Sequence, residues 1–280
     1  MEQKFIEVDG FSLSFIENNP NAQQTIFFIH GNSGSSATWN KQLNDPSFSE
    51  YRLTAFDLPG HGASSKSSNP ESDYTPINTA KILAKAISVL SNTAPFIFIG
   101  ISYGTNIIAE MMELNINPSG IVLMGLCCLG NNFDMDQVFK QMDTPNIYAY
   151  NETDRKVAEG FITSFIEEPE DANFLVDDYF KTDEQFKPAL MKAAAEGRFS
   201  DEIAALEKNA IPICIVNGAS DKMFYPDYIK KSNVHFWKKD IVVLEKAGHF
   251  VHLDKPAEVN QIIFAYAQAV FTPAHASQRS

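Results

Sequence analysis

Three residues suited to nucleophilic catalysis stand at the ends of apolar runs in this chain: Ser102, Asp221 and His249. Ser102 lies in Gly100-Ile101-Ser102-Tyr103-Gly104, directly after Phe96-Ile97-Phe98-Ile99 and directly before a helical pattern through Asn106 and Met111. A G-x-S-x-G between a buried strand and a helix predicts a turn so tight that its serine adopts a strained conformation. The hydroxyl then projects from the carboxyl end of the strand, beside the N-terminus of the next helix. A serine hydroxyl attacks only when a base takes its proton, and that base needs a third group to fix its tautomer. In such a turn the partners follow in the chain order Ser, acid, His.

Asp221 meets the requirement for the acid, because Asn217-Gly218-Ala219-Ser220-Asp221 follows a buried run. The preceding apolar run continues instead into Gly125-Leu126-Cys127-Cys128, with no acid before Asp134. His249 is the expected base, in Lys246-Ala247-Gly248-His249-Phe250 after the last strand-like run. Its rival is His252, whose place just before the final helix suits a capping or surface role. His235 and His275 have the context of surface residues. Acyl transfer also builds negative charge on a carbonyl oxygen, and two fixed N–H donors there are worth about 3 kcal/mol each. The backbone of Tyr103 is one expected donor and that of Asn32, in His30-Gly31-Asn32, the other. His30 is expected to hold this loop, and Asp57-Leu58-Pro59-Gly60-His61-Gly62 to form a bracing turn.

These loops must be set at one edge of a sheet, and the hydropathy pattern supplies the elements to do so. Residues 5–8 and 11–16, joined by Asp9-Gly10, predict a hairpin. Buried strands are expected at 25–29, 96–99, 120–126 and 212–218, and further strands at 51–58 and 240–244. Thr75-Pro76 opens an amphipathic helix carrying Ile82, Leu83, Ala86 and Ile87 at helical spacing. The pattern changes over 127–209, where helices are expected at 134–142, 152–166, 172–180, 183–195 and 201–207. Eight phenylalanines there, Phe133 and Phe161 among them, predict mainly internal packing. The chain is therefore expected to be an α/β protein, with a core at 1–126 and 210–271, a helical cap inserted at 127–209 and a flexible tail at 272–280.

Composition narrows the function. At 280 residues, 44% apolar and 12% aromatic, the chain can bury a full core. A net charge of −13 argues against a nucleic-acid or anionic-membrane partner. Cys127, Cys128 and Cys214 sit in or beside apolar runs and predict buried free thiols in a reducing compartment. No secretory signal is evident after Met1 and no run reaches the roughly 20 apolar residues of a membrane span, so a cytoplasmic location is expected. No metal-ligand spacing occurs, and neither metal nor cofactor is expected.

In its ordered motifs, His30-Gly31-Asn32, 57–62, Gly100 to Gly104, Asp221 and Gly248-His249, the chain resembles the α/β-hydrolase superfamily with a helical cap. Serine at the turn departs from haloalkane dehalogenases and epoxide hydrolases of that superfamily, which place aspartate there. A narrower resemblance is to the serine-dependent N-acyl-homoserine-lactone lactonases of this fold. It is carried by His30-Gly31-Asn32-Ser33-Gly34-Ser35, residues 57–62 and 211–218, and Ala247-Gly248-His249 with Pro256-Ala257-Glu258. It implies hydrolysis of a small-molecule ester or lactone with an apolar acyl part, with Gly31 and Phe161 as candidate substrate-binding positions. Phe161 stands where that group carries a substrate-contacting tyrosine. The same superfamily also includes generic carboxylesterases, amide and C–C hydrolases, and non-catalytic ligand-binding members.

Overall fold

A computed structural model describes residues 2–91, 93–131, 134–208 and 210–272. Phe133, His275, the cap boundary at Asn209 and all of the expected tail beyond Thr272 lie outside the described residues. The chain opens with the hairpin β1 (Gln3–Val8) and β2 (Phe11–Asn18), turning through Asp9 and Gly10 at φ 49° and 84°. There follow β3 (Thr25–Ile29), α1 (Asn40–Leu43), β4 (Arg52–Phe56), α2 (Pro70–Asp73) and α3 (Pro76–Ser91). Next come β5 (Phe96–Ile101), α4 (Tyr103–Met111) and β6 (Gly120–Met124). Between β6 and β7 (Ile213–Gly218) the described segment is helical: α5 (Met135–Val138), α6 (Arg155–Thr163), α7 (Asn173–Lys181), α8 (Phe186–Ala195) and α9 (Glu202–Glu207). The chain then forms β8 (Val242–Leu244), α10 (Val251–Asp254) and α11 (Pro256–Phe271).

All eight strands join one sheet in the order β1-β2-β4-β3-β5-β6-β7-β8. The hairpin pairs antiparallel and β2 pairs antiparallel with β4, while every pair from β4 to β8 is parallel. The parallel strands carry unbroken apolar runs because each face of the sheet is covered. Ile97, Ile99 and Ile101 of β5 enter a core with Trp39, Val259 and Ile263, whereas Phe96 and Phe98 enter one with Leu83, Ile107 and Ile108. The strand period of two thus divides one apolar run between two cores. Each fully buried Ile or Phe contributes roughly 1.5–3 kcal/mol relative to exposure.

The helix expected at 134–142 stops at Val138, because Phe139 bridges antiparallel to Phe224 in the loop after β7. The expected strand at 240–244 shrinks to three residues at the sheet edge, where only one neighbour pairs with it.

Candidate active site

The loops after β3, β5, β6 and β7 leave the same edge of the sheet, as parallel pairing requires. Ser102 sits between β5 and α4 at φ 52° and ψ −125°, a conformation that costs a non-glycine residue about 1–3 kcal/mol. Three contacts hold it there. Its N–H donates to the Met124 carbonyl at 3.0 Å, and its own carbonyl accepts from Thr105 N at 2.7 Å and from Thr105 Oγ1 at 2.7 Å. The strand–helix crossing also needs glycine. A β-carbon on Gly104 would stand 2.4 Å from the Ile29 carbonyl oxygen, and one on Gly100 2.8 Å from that of Gly104.

His249 and Asp221 form a buried pair, 1% and 3% exposed, with His249 Nδ1 3.0 Å from Asp221 Oδ2. The other Asp221 oxygen accepts from Met223 N at 2.7 Å. Burial alone would raise this carboxyl, but His249 and the N–H groups of Met223 and Phe224 outweigh it and hold its pKa below the ordinary value. An ionised acid on Nδ1 fixes the tautomer that leaves Nε2 bare, and Nε2 has no hydrogen-bond partner among the described residues.

Ser102 and His249 both adjoin the end of β6. Ser102 binds the Met124 carbonyl, and the next residue, Gly125, lies so near the imidazole that a β-carbon on it would stand 2.6 Å from His249 Cε1. Gly125 also takes φ +50°, and the strand ends at Met124. Sequence reasoning read it as part of a strand; the signal available was a glycine at the end of a buried run. On the opposite side Gly31 approaches Ser102, where an added β-carbon would lie 3.0 Å from Ser102 Cβ.

The loop carrying Gly31 and Asn32 is braced by two neutral histidines. His30 Nδ1 donates to the Gly31 carbonyl at 2.7 Å and Nε2 accepts from Leu58 N at 2.9 Å. His61 Nε2 accepts from Ser33 N, and Nδ1 donates to the Pro59 carbonyl. Burial lowers the pKa of both rings. Asp57 accepts from Ser36 N and Ala63 N, so the 57–62 turn braces the loop as its sequence suggests. The side chain of Asn32 reaches into the inserted helical segment, donating to the Tyr148 carbonyl at 3.1 Å. Tyr103 is the first residue of α4, where backbone N–H groups have no partner within the helix.

Phe161 is buried against Phe165 (ring centroids 4.9 Å) and Tyr148 (5.9 Å). The Phe165 carbonyl in turn accepts the N–H of His249 at 2.9 Å. His252 is no cap or surface residue: it is fully buried, packs at a tilt against Trp39 (ring centroids 4.6 Å), and pairs through Nε2 with Thr38 Oγ1 at 2.7 Å. Burial drops its pKa to about 3, so it is a neutral core histidine. His235 is exposed as expected. Cys127, Cys128 and Cys214 are buried and unbridged. Cys127 lies beside Thr105 and Asn106 under the turn, and burial raises its thiol pKa, leaving it protonated. Among the described residues no group of three or more His, Cys, Asp or Glu could hold a metal ion, and no helix is long and apolar enough to cross a membrane.

The arrangement of this chain has a match beyond this molecule: the family model for the α/β hydrolase fold covers residues 24–256. The chain belongs to the α/β-hydrolase fold family. Two curated relatives match over short segments. One is the dihydrolipoyllysine-residue acetyltransferase component of an acetoin cleaving system from Cupriavidus necator, 40% identical over 62 residues, 22% of this chain. The other is an epoxide hydrolase from Caballeronia sordidicola, 34% identical over 85 residues, 30% of this chain. The matches span only 16% and 25% of those proteins. Among solved structures, the N-acyl homoserine lactonase AidH complexed with N-butanoyl homoserine superposes with a TM-score of 0.89 at 23% identity. The match covers 98% of this α/β hydrolase and 99% of AidH.

Proposed function

We propose that this α/β hydrolase cleaves a carboxylic ester or lactone through an acyl-enzyme on Ser102. His249 removes the hydroxyl proton through Nε2 as Ser102 attacks the carbonyl, and Asp221 stabilises the imidazolium that forms. The N–H groups of Tyr103 and Asn32 receive the oxyanion, the first reinforced by the N-terminus of α4. His249 then protonates the leaving alkoxide, which in a lactone stays tethered to the acyl group. Water, deprotonated by the same Nε2, releases the acid and restores Ser102. The helices over 127–209 act as a cap on the core formed by 1–126 and 210–271, and Gly31 and Phe161 contact the substrate. The proposed substrate is an N-acyl-homoserine lactone, a small molecule that needs neither metal nor cofactor for this chemistry. The free thiols suit a reducing, cytoplasmic setting.

The observation that carries the reading is the buried Asp221–His249 pair with its bare Nε2, one residue across β6 from a serine held at φ 52°. AidH, with its bound N-butanoyl homoserine, favours the lactone within the ester class. The test combines fluorophosphonate labelling with turnover of p-nitrophenyl butyrate and N-hexanoyl homoserine lactone. Labelling at Ser102 and hydrolysis of both substrates are expected. Labelling with ester cleavage but no lactone opening would reduce the reading to a carboxylesterase. No labelling and no turnover would leave a ligand-binding member of the fold.

A further inference from the structure

The loop that carries His249 is held from three directions, and one carboxylate joins two of them. Toward β7, the Ala247 carbonyl accepts from Ser220 N at 2.9 Å, next to Asp221. Toward the inserted helices, the Phe165 carbonyl accepts the N–H of His249 at 2.9 Å. Toward α10, Asp254 Oδ2 accepts the N–H of Gly248 at 2.7 Å. The other oxygen, Asp254 Oδ1, accepts from Glu167 N at 2.9 Å and from Glu168 N at 3.3 Å, shortly beyond Phe165 in the chain. Residues 248–249 and 165–168 are thus bonded twice, once directly and once through a single side chain that is 6% exposed. Their approach is close, because Gly248 has no room for a β-carbon against the Phe165 carbonyl. The reaction proposed above makes no use of Asp254.

We propose that Asp254 is a positioning residue for His249, fixing the backbone of the Gly248–His249 loop against the 165–168 stretch. The bond to Asp221 sets one end of the imidazole, at Nδ1. Where Nε2 then lies depends on where the backbone holds the residue. A displacement of about 1 Å at a reacting group costs on the order of 100-fold in rate. A carboxylate suits this post: it accepts through two oxygens, its bonds to N–H groups are charge-assisted, and it grips both stretches at once. Removing it would leave three backbone N–H groups without their acceptor. The acid's loop is tied to the same stretch, since Lys222 Nζ donates to the Ser164 carbonyl at 3.0 Å. This role rests on the reading of His249 as the base of an ester or lactone hydrolase, and adds the group that holds the base in place.

Asp254→Asn keeps the size of the side chain but puts an NH2 group where one oxygen accepted, and that group cannot bind the N–H it then faces. His252→Ala is the control, because it loosens the same short helix without gripping either stretch. Three quantities are read for each protein: turnover of p-nitrophenyl butyrate, unfolding in denaturant, and the downfield proton resonance of His249 Nδ1–H bonded to Asp221. In Asp254→Asn, kcat per folded molecule should fall about 10- to 100-fold with KM within about twofold, and the resonance should weaken or shift. His252→Ala should lose stability with kcat and resonance kept. An Asp254→Asn protein with wild-type kcat and resonance, or a kcat loss matched by His252→Ala at equal loss of stability, would make Asp254 merely structural and overturn the proposal. Should Asp254→Asn not fold, Asp254→Glu moves both oxygens by one methylene and is read in its place. A kcat loss of about 3- to 10-fold is expected there, and an unchanged kcat overturns the proposal. A wild type with neither fluorophosphonate labelling nor turnover overturns the hydrolase reading, and the role of Asp254 with it; every other outcome leaves that reading standing.

Discussion

At the sheet edge, Gly104, Gly125 and Gly218 let backbone or imidazole approach to within 2.2–2.6 Å of where a β-carbon would stand. In the inserted helices the comparable contacts are ring on ring, at centroid distances of 4.9–6.2 Å around Tyr148, Phe161, Phe165 and Tyr179. The first kind of contact is set by covalent geometry and has no room to adjust. The second is dispersion and burial, which repack when a side chain changes shape at a cost of about 1–3 kcal/mol. The edge therefore fixes the position of reacting atoms, and the inserted segment sets what surrounds them. Changes at the edge should act on rate with every substrate, and changes in the insertion on choice between substrates.

The largest effect expected from this division comes from the edge. Ser102→Ala and His249→Ala should each lower kcat by about 10⁴-fold or more on any ester or lactone, with the double variant little worse, because the two act as a unit. Asp221→Asn should retain more activity, since nucleophile and base both survive. Steady-state assays on p-nitrophenyl butyrate and on the lactone would measure this. A His249→Ala enzyme that stayed active beside a dead His252→Ala enzyme would transfer the base to His252 and undo the contrast drawn between these two residues.

The edge was readable in the sequence because its requirements are local. G-x-S-x-G after an apolar run demands a strained turn, and glycine at the end of β7 or before His249 demands close passage of backbones; each signal spans five or six residues. The eight strands followed from the same logic, through runs such as Phe96-Ile97-Phe98-Ile99. The insertion was legible only as helical and aromatic. Tyr148 lies in no motif, and its contacts with Asn32, 116 residues away, and with Tyr179 depend on how helices dock. His252 misled for a related reason. Its position before α11 suits a cap, but Trp39 and Thr38, more than 200 residues earlier, enclose it.

His252 gives the next test, of stability rather than rate. His252→Ala should cost about 2–4 kcal/mol through the lost packing on Trp39 and the lost bond to Thr38, with kcat per folded molecule little changed. Denaturant titration beside an ester assay separates the two. A folded-state pKa of about 3 against an ordinary 6.5 also means the unfolded chain takes up the proton first. This contribution to stability is present above pH 6.5 and is lost as pH falls toward 3. A large fall in kcat with stability intact would place His252 with the edge chemistry instead.

Glu202 tests the seam between the two regions. It belongs to α9 of the insertion, yet its carboxyl accepts from Asn106 Nδ2 of α4 at 2.8 Å and from Leu129 N after β6 at 2.6 Å. Burial, aided by Glu110 and Asp201, raises its pKa to about 8. Between pH 4.5 and 8 the folded chain keeps a proton that the unfolded chain has released, so stability must fall as pH rises through that window. The wild type should lose roughly a few kcal/mol from this group, and Glu202→Gln should flatten the decline. Unfolding titrations at pH 5, 6.5 and 8 measure it. Parallel slopes in the two proteins would show that the seam does not bury an uncharged acid.

The smallest effect expected is at Phe161, and it bears directly on the division between rate and choice. If the acyl chain lies against Phe161, kcat/KM should climb with chain length until the space is filled, since each methylene moved out of water contributes about 0.8 kcal/mol. Phe161→Leu shortens one wall of that space without touching the Asp221–His249 pair or the turn at Ser102. The optimum should then move toward chains one or two carbons longer, with kcat/KM for p-nitrophenyl acetate within about threefold of wild type. The measurement is kcat/KM against acyl length for a p-nitrophenyl ester series in both proteins. A flat wild-type profile would reject an apolar acyl pocket. A sloped profile whose optimum stayed in place in the variant would take Phe161 out of the pocket and leave it as packing between Phe165 and Tyr148. Equal losses at every chain length would mean that a ring in the insertion also positions the reacting atoms, and the separation between the two regions would fail at this residue.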